Sequence, residues 1–204
     1  MKLRSLVTLA LLSALTLVLV IGTPSACAEN VSEPEGPEAV ATMLDGFRSD
    51  DSHVRSSMIR QVADIRPIPK EAIPKMIGML EDDDEYVKTA AIGALGHWGA
   101  VVAKDSVPPL LEILAKDKNP EMRSAAAKAI ADIGPAAKSA IPALLKTLLE
   151  DKVPAVRADA CDGLSRMGTL AKEAIPALNA ALKDADGFVR GAAWRALLRV
   201  DPKK

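Results

Sequence analysis

The chain has 204 residues, of which 49% are hydrophobic and only 2% are aromatic. Its core must therefore be built from Ala, Leu, Ile, Val and Met, a composition that favours helices. The formal net charge is −1, so the chain lacks the positive field that attracts nucleic acid. With few aromatic rings it also offers few surfaces on which bases could stack.

The first 28 residues are predicted to be a signal peptide. Lys2 and Arg4 precede an apolar run over residues 6–21, which is shorter than the roughly 20 residues of a membrane-spanning helix. The run is followed by Ala26-Cys27-Ala28, whose small residues at alternate positions are typical of a signal-peptidase site. We expect cleavage between Ala28 and Glu29 and export to the periplasm, the cell envelope or the outside of the cell.

Two alternatives to this cleavage remain open. Cys27 could be the lipidated cysteine of a bacterial lipoprotein, although Pro24 stands where that signal usually carries an aliphatic residue. Only in that case would we expect contact with a membrane. An uncleaved anchor ranks third, because the apolar run is short and ends at Gly22 and Pro24.

Residues 29–38 are acidic and rich in helix breakers, so they are predicted to form a flexible leader. A lone helix is predicted near residues 37–48.

The rest of the chain repeats, and its first marker is an apolar residue followed by proline. Four such prolines lie 34 residues apart: Pro74, Pro108, Pro142 and Pro176. Apolar residues at −1, +2 and +6 from each proline share one face of a helix. Because proline is tolerated only in the first turn of a helix, each proline is predicted to mark a helix start. We call these helices the B helices.

The second marker of the repeat is a basic residue that follows an apolar one. It occurs at Arg55, Lys88, Arg123, Arg157 and Arg190. Apolar residues at −1, +3, +4, +7 and +10 from this residue form one stripe, which predicts an A helix. The −1 column begins with Val54, and the +4 column, expected in the core, contains Ile59, Ile92, Ala127, Cys161 and Trp194. Asp51, Asp84, Asn119 and Asp186 are predicted N-caps, and Gly99, Gly134 and Gly168 are predicted to end A helices.

Together these markers predict an all-α protein. Four A–B pairs follow the first helix, a final A helix covers residues 187–200, and residues 201–204 form a tail. A single pair cannot bury its apolar face alone, so the pairs must stack on one another. The prediction is an α-solenoid, a superhelix of antiparallel helix pairs with about 34 residues per repeat, over residues 39–200.

The segments Ala140-Ile141-Pro142-Ala143-Leu144 and Ala174-Ile175-Pro176-Ala177-Leu178, with the Asp…Val-Arg…Ala-Ala start of the A helices, resemble the short HEAT-like repeat first associated with phycobilisome lyases. The resemblance implies that the basic residue of each A helix pairs with an aspartate in the turn of a neighbouring repeat. The candidates are Asp83, Asp117, Asp151 and Asp184. It also implies that the B helices line the concave side of the solenoid.

No residue pattern predicts catalysis. Cys161 occupies a core column, so we interpret it as a small buried hydrophobe rather than a nucleophile. His53 and His97 belong to no cluster with metal-ligand spacing, so neither a metal site nor a cofactor is expected. The three acids Asp82 to Asp84 are interpreted as a solvated turn.

The sequence leaves the outer face of the B helices as the candidate binding surface. Offsets +1, +4 and +8 from each proline face away from the core, and Asp82 and Asp184 also fall in this set. The candidate partner-binding residues are Lys75, Glu112, Lys116, Lys146 and Glu150. We predict a non-catalytic protein-binding or scaffolding module whose partner is another protein. The resemblance leaves an alternative, an enzyme or enzyme helper related to the bilin lyases.

Overall fold

A computed structural model describes residues 37–202. The predicted signal peptide, residues 29–36 of the predicted leader and the last two residues lie outside the described part of the chain. Within that part the regular elements are helices, and no strand occurs. The ten α-helices of residues 37–202 are α1 Pro37–Asp45, α2 Ser52–Asp64, α3 Ala72–Gly78, α4 Glu85–Trp98, α5 Ala103–Lys116, α6 Pro120–Ile133, α7 Ile141–Glu150, α8 Pro154–Met167, α9 Ile175–Ala181 and α10 Gly187–Val200.

The predicted helix pairs are confirmed. The A helices are α2, α4, α6, α8 and α10, and the B helices are α1, α3, α5, α7 and α9. Short 3-10 segments lie between several of them: Gly46–Arg48, Met79–Glu81, Gly99–Val101, Gly134–Ala140 and Gly168–Ala174. Each B helix packs on the A helix that follows it, and each A helix packs on the next A helix. The apolar stripes of both kinds of helix therefore enter one shared core.

The ends of the A helices follow from local side-chain chemistry. Asp51, Asp84, Asn119 and Asp186 each accept a hydrogen bond from a main-chain N–H of the first helical turn, as expected of N-caps. Gly99, Gly134 and Gly168 have φ angles of 62°, 66° and 56°. Residues with a side chain rarely adopt this conformation, so the three glycines end the helices at fixed points.

The predicted start of the third B helix is wrong. Pro108 and Pro109 lie inside α5, which begins at Ala103. The first turn of α5 forms earlier because Val102 O accepts hydrogen bonds from Asp105 N at 3.0 Å and from Ser106 N at 2.9 Å. In the two later repeats a 3-10 segment occupies the corresponding stretch, and Pro142 and Pro176 lie near the helix start as predicted.

The A helices stack closely because their contact sides carry small residues. Gly96 on α4 faces Ala129 on α6, and a Cβ atom at Gly96 would lie only 2.9 Å from Ala129 Cα. Trp98 is 3% exposed, and its indole N–H donates to Ala63 O at 3.0 Å across the repeat boundary. Consecutive repeats are therefore joined by both van der Waals contact and hydrogen bonding.

Two predicted core positions are exposed, one at each end of the array. Trp194 on α10 is 58% exposed, although the other residues in its column are fully buried or nearly so. Within residues 37–202 no helix follows α10 to cover it. Val54 on α2 is 38% exposed, because α2 is the first A helix among residues 37–202 and no earlier A helix in that span covers this side. Both predictions failed because burial of these columns depends on a neighbouring repeat.

Candidate partner-binding surface

A ladder of Arg–Asp ion pairs links the turns of successive repeats. Arg123 illustrates it: Nε and Nη2 donate to the two carboxylate oxygens of Asp151 at 2.7 and 3.0 Å. Its Nη1 donates to Asp117 O at 2.9 Å, in the turn that precedes α6. One guanidinium therefore holds its own turn and the next one. We call the three pairs of this kind the charge ladder: Arg55–Asp82, Arg123–Asp151 and Arg157–Asp184.

The structure corrects the predicted first pair. Asp82, and not Asp83, accepts from Arg55, with both distances at 2.7 Å. The reason is the turn: Asp82 also accepts the N–H of Asp84, the N-cap two residues later. Asp117, Asp151 and Asp184 stand in the same relation to their turns. Asp82 is thus a structural residue rather than part of a solvated acidic turn.

The predicted pair of Lys88 with Asp117 does not form. Among residues 37–202, Lys88 makes no ion pair within 4 Å, while Asp117 accepts the N–H of Asn119 at 2.8 Å. A lysine carries a point charge on a single nitrogen and cannot bridge two turns as a guanidinium does. The ladder is therefore interrupted at the second repeat.

The ladder side chains are largely shielded from solvent. The side chains of Arg123 and Asp151 are 15% and 9% exposed. The hydrogen bond from Arg157 holds the pKa of Asp184 below its ordinary value, and Arg55 does the same for Asp82. Burial raises the pKa of Asp151, but the bonds from Arg123 and the Val153 N–H outweigh it and the net shift is downward. Because the carboxylates of Asp82 and Asp184 bind the arginines of the charge ladder and are largely shielded from solvent, their predicted outward orientation is wrong.

The five candidate binding residues lie on three successive B helices, α3, α5 and α7. Glu112 and Lys116 on α5 form an exposed ion pair at 2.7 Å, which lowers the pKa of Glu112. Lys146 and Glu150 on α7 border a separate concavity. Lys75 is half-buried on α3.

The concavity beside Lys146 and Glu150 has a volume of about 400 Å³. It lies between α5 and α7, and Ala115 and Ala143 belong to its apolar lining. A second concavity of about 290 Å³ lies between α7 and α9 and includes the exposed Leu149. Each combines small apolar side chains with charged groups at its edge. These surfaces suit the side chains of a bound polypeptide better than an enclosed small molecule.

A larger concavity, which the sequence pattern does not indicate, lies on the outer surface of the A helices. It has a volume of about 620 Å³ and is lined by Lys128, Asp132, Asp159, Asp162, Arg166, Arg195 and Arg199, with Ala131 and Ser165. Ion pairs cross it between successive helices, with Arg166 3.7 Å from Asp132 and Arg195 3.5 Å from Asp162. On α6, α8 and α10 the residues at +5 and +9 from the basic residue lie on this surface. They are charged, so the apolar pattern of the repeat does not indicate them.

Cys161 and His97, two side chains considered for chemistry in the sequence, lie in contrasting surroundings. Cys161 is fully buried, and burial, followed by the charge of Asp162, raises the pKa of its thiol to about 12. His97 lies 3.7 Å from Asp64 at an exposed position. Within residues 37–202 no three His, Cys, Asp or Glu side chains are grouped to hold a metal ion. No helix in the same span is both long and apolar enough to cross a membrane.

Comparison with known proteins assigns the architecture. The family model described as HEAT repeats matches residues 40–117 and 107–198. The complex of CpcE and CpcF of phycocyanin lyase from Nostoc sp. PCC7120 is similar in structure, with a TM-score of 0.67 and 23% identity, over 90% of this chain and 71% of that chain. No curated protein matches the sequence.

Two engineered proteins are also similar in fold. The crystal structure of one engineered protein has a TM-score of 0.60 and 24% identity, and the match covers 81% of this chain and 80% of that one. A designed armadillo repeat protein has a TM-score of 0.59 and 21% identity, with coverage of 78% and 81%. At these identities the likeness concerns the fold alone. The predicted helical-repeat fold and the resemblance to HEAT-like repeats are thereby confirmed.

Proposed function

Since the chain belongs to the HEAT-repeat family, we propose that it is a non-catalytic protein-binding or scaffolding module that works in the cell envelope or outside the cell. Stacked helix pairs present extended surfaces of the kind that repeat proteins use to bind other polypeptides. The observation that carries the proposal is the row of concavities between the B helices, in which small apolar side chains are bordered by charged ones.

The proposed contact residues on this surface are Lys75, Glu112, Lys116, Lys146 and Glu150. Lys116 and Lys146 are exposed, so they are available to a carboxylate on the partner. The ion pair between Lys116 and Glu112 is open to solvent, with side chains 73% and 65% exposed. Such a pair contributes little to folding. A charge reversal here should therefore change recognition without changing the fold.

The test is a double reversal, Lys116→Glu with Lys146→Glu. The purified chain is immobilised, and envelope extract and culture fluid are passed over it. We expect a protein captured by the wild type to be lost from this variant. Matched controls are Lys138→Glu and Lys172→Glu together, which change the net charge equally at exposed positions in the 3-10 segments. Equal capture by both variants, with unchanged helicity, would contradict the proposed surface.

Export is part of the proposal and rests on the N-terminal sequence. The intact mass of the protein recovered from its host tests it. A chain that begins at Glu29 supports export and cleavage, and a lipid-modified Cys27 supports the lipoprotein alternative. A chain recovered from the cytoplasm with residues 1–28 intact contradicts export.

The alternative is an enzyme or an enzyme helper, which the structural likeness to the phycocyanin lyase complex keeps open. The buried Cys161, with its raised pKa, argues against a thiol nucleophile. A direct test is to incubate the purified chain with a bilin and to record the absorption spectrum and the elemental metal content. A stable bilin complex would favour the alternative over the binding module.

A further inference from the structure

Helix α10, the last helix among residues 37–202, exposes a side that the other A helices bury. In α2, α4, α6 and α8 the +4 residue is covered by the next A helix, and Ile59, Ile92, Ala127 and Cys161 are 0–1% exposed. On α10 this side is open, with Trp194 58% and Leu198 54% exposed. We call the open side of α10 the end face, formed by Gly187, Gly191, Trp194 and Leu198. These residues follow helical spacing along one stripe.

The end face differs in shape from its counterparts. At +8 from the basic residue the earlier A helices carry small residues, namely Ala63, Gly96, Ala131 and Ser165, whereas α10 carries Leu198. Its first half carries Gly187 and Gly191 instead. The face therefore has two large side chains toward the C-terminal end of α10 and a notch toward its N-terminal end. Terminal repeats of a monomeric solenoid need a polar outer side, and this apolar stripe is the opposite.

A second copy of the same helix fits this shape. If two α10 helices pack antiparallel about a two-fold axis at Trp194, Leu198 of each copy comes to the level of Gly191 of the other. Each large side chain then enters the notch of the opposite copy, and the two Trp194 rings meet near the axis. A surface that is complementary to itself in this way is what a two-fold interface requires. The helix dipoles also run in opposite directions in such a pair.

Charge supports the same arrangement. Arg190 donates to the carbonyl oxygens of Asp184 and Ala185, both at 2.8 Å. No carboxylate among residues 37–202 accepts a bond from it, whereas the arginines of the charge ladder each bind one. Asp201 follows the other end of α10. In the antiparallel pair, Asp201 of the second copy approaches Arg190 on the same edge of the interface. Arg195, on the opposite edge, lies 3.5 Å from Asp162 of its own chain.

A head-to-tail stack of copies is less well supported. It would place the first turn of one copy against Arg190 of another and extend the array. That turn carries Ser49 six residues before Arg55, where the later turns carry Asp82, Asp151 and Asp184. Ser49 accepts the N–H of Asp51 at 3.2 Å, but it supplies no carboxylate. The open Arg190 would thus find no ladder partner in this arrangement.

We propose that the chain forms a two-fold symmetric homodimer through the end face of α10. The test uses sedimentation of the purified chain over a concentration series, with the N-terminus defined by intact mass. The variant Gly191→Gln fills the notch. A Cβ atom at Gly191 would meet only Arg195 Nη1, at 3.6 Å, within the same chain. The substitution also replaces glycine with a better helix former, so it should not unfold the monomer.

We expect the wild type to reach the mass of two chains, and Gly191→Gln and Trp194→Gln to weaken the dimer at least about tenfold. The matched control is Gly93→Gln on α4, where a Cβ atom has no neighbour within 4 Å, and it should dimerise like the wild type. A wild type that stays monomeric at every concentration overturns the proposal. A dimer unaffected by Gly191→Gln, or an assembly that grows beyond two chains, overturns it equally.

Discussion

The close stacking of α4 on α6 can be tested with two alanine substitutions in one helix. Gly96 faces α6, and a Cβ atom there would lie 2.9 Å from Ala129 Cα and 3.1 Å from Ala129 Cβ. Because Cα is part of the main chain, no side-chain rotation relieves this contact, and the two helices must move apart. Gly93 lies three residues earlier on α4, and a Cβ atom there meets nothing within 4 Å.

The magnitude follows from two opposing contributions. Replacing a glycine in a helix with alanine stabilises the helix by about 0.5–1 kcal/mol. Both variants share this gain. Forcing an additional methyl group into a close-packed contact costs about 1–3 kcal/mol, and only Gly96→Ala incurs that cost. We therefore expect Gly96→Ala to be less stable than Gly93→Ala by about 1–3 kcal/mol, and Gly93→Ala to be at least as stable as the wild type.

The assay is urea unfolding followed by far-ultraviolet circular dichroism, with thermal unfolding as a second measurement. For a chain of this size, each kcal/mol corresponds to about 2–4 °C in Tm. Repeat arrays can unfold in parts, so the two variants are compared only where their urea dependences agree. If Gly96→Ala proved as stable as Gly93→Ala, α4 and α6 would not be in the close register described, and the account of the shared core would be refuted.

Three further predictions concern charge and the thiol. Arg123→Ala should lower the free energy of unfolding by about 1–2 kcal/mol, which is less than the loss from breaking a fully buried ion pair because solvent still reaches this one. In urea unfolding, Arg123→Ala should lose more stability than Arg190→Ala, and a smaller loss would contradict the prediction. The ladder aspartates have a pKa below the ordinary 3.8, so the unfolded chain binds protons first as the pH falls. Their stabilisation should be complete above about pH 5 and should decline progressively as the pH falls through 3.8 and then through the lower pKa of the folded state, as urea midpoints at a series of pH values would show. Cys161, with a pKa of about 12, should react with iodoacetamide only as the chain unfolds, and rapid native labelling would contradict its burial.

The fold could be predicted because each helix carries its own boundaries in the sequence. N-cap residues such as Asp84 and Asn119, and glycines such as Gly134, act within a few residues of their position. The apolar columns then fix which side of each helix enters the core. These signals are local: the apolar columns recur in all five A helices of the described residues, four of these helices begin at a capping side chain and three end at a glycine. Pro108 misled the prediction because the turn at Val102 forms a helix start before the proline is reached.

Other features could not be predicted because they depend on contacts between repeats. Spacing alone could not choose between Asp82 and Asp83, since both fit a period near 34; the hydrogen bond from Asp84 N decides in favour of Asp82. The +4 column of the A helices places Trp194 on the correct side of α10, but burial of that side needs another helix. Likewise, offsets along the B helices identify Lys146 and Glu150 as outward residues. Their shared concavity depends on how α5 and α7 pack.

The interruption of the charge ladder at Lys88 leads to a last prediction. Lys88 lies six residues after Asp82 and follows the N-cap Asp84, as Arg123 follows Asp117 and Asn119. Asp117 is already oriented by the Asn119 N–H, so Lys88→Arg should let a guanidinium bind Asp117 and the carbonyl of Asp82 at once. We expect a gain of about 1 kcal/mol in the free energy of unfolding. The gain should vanish when Asp117→Asn is also present. If Lys88→Arg stabilised the chain equally with and without the Asp117 carboxylate, the arginine would act through general charge or propensity, and the ladder would not be what couples these two turns.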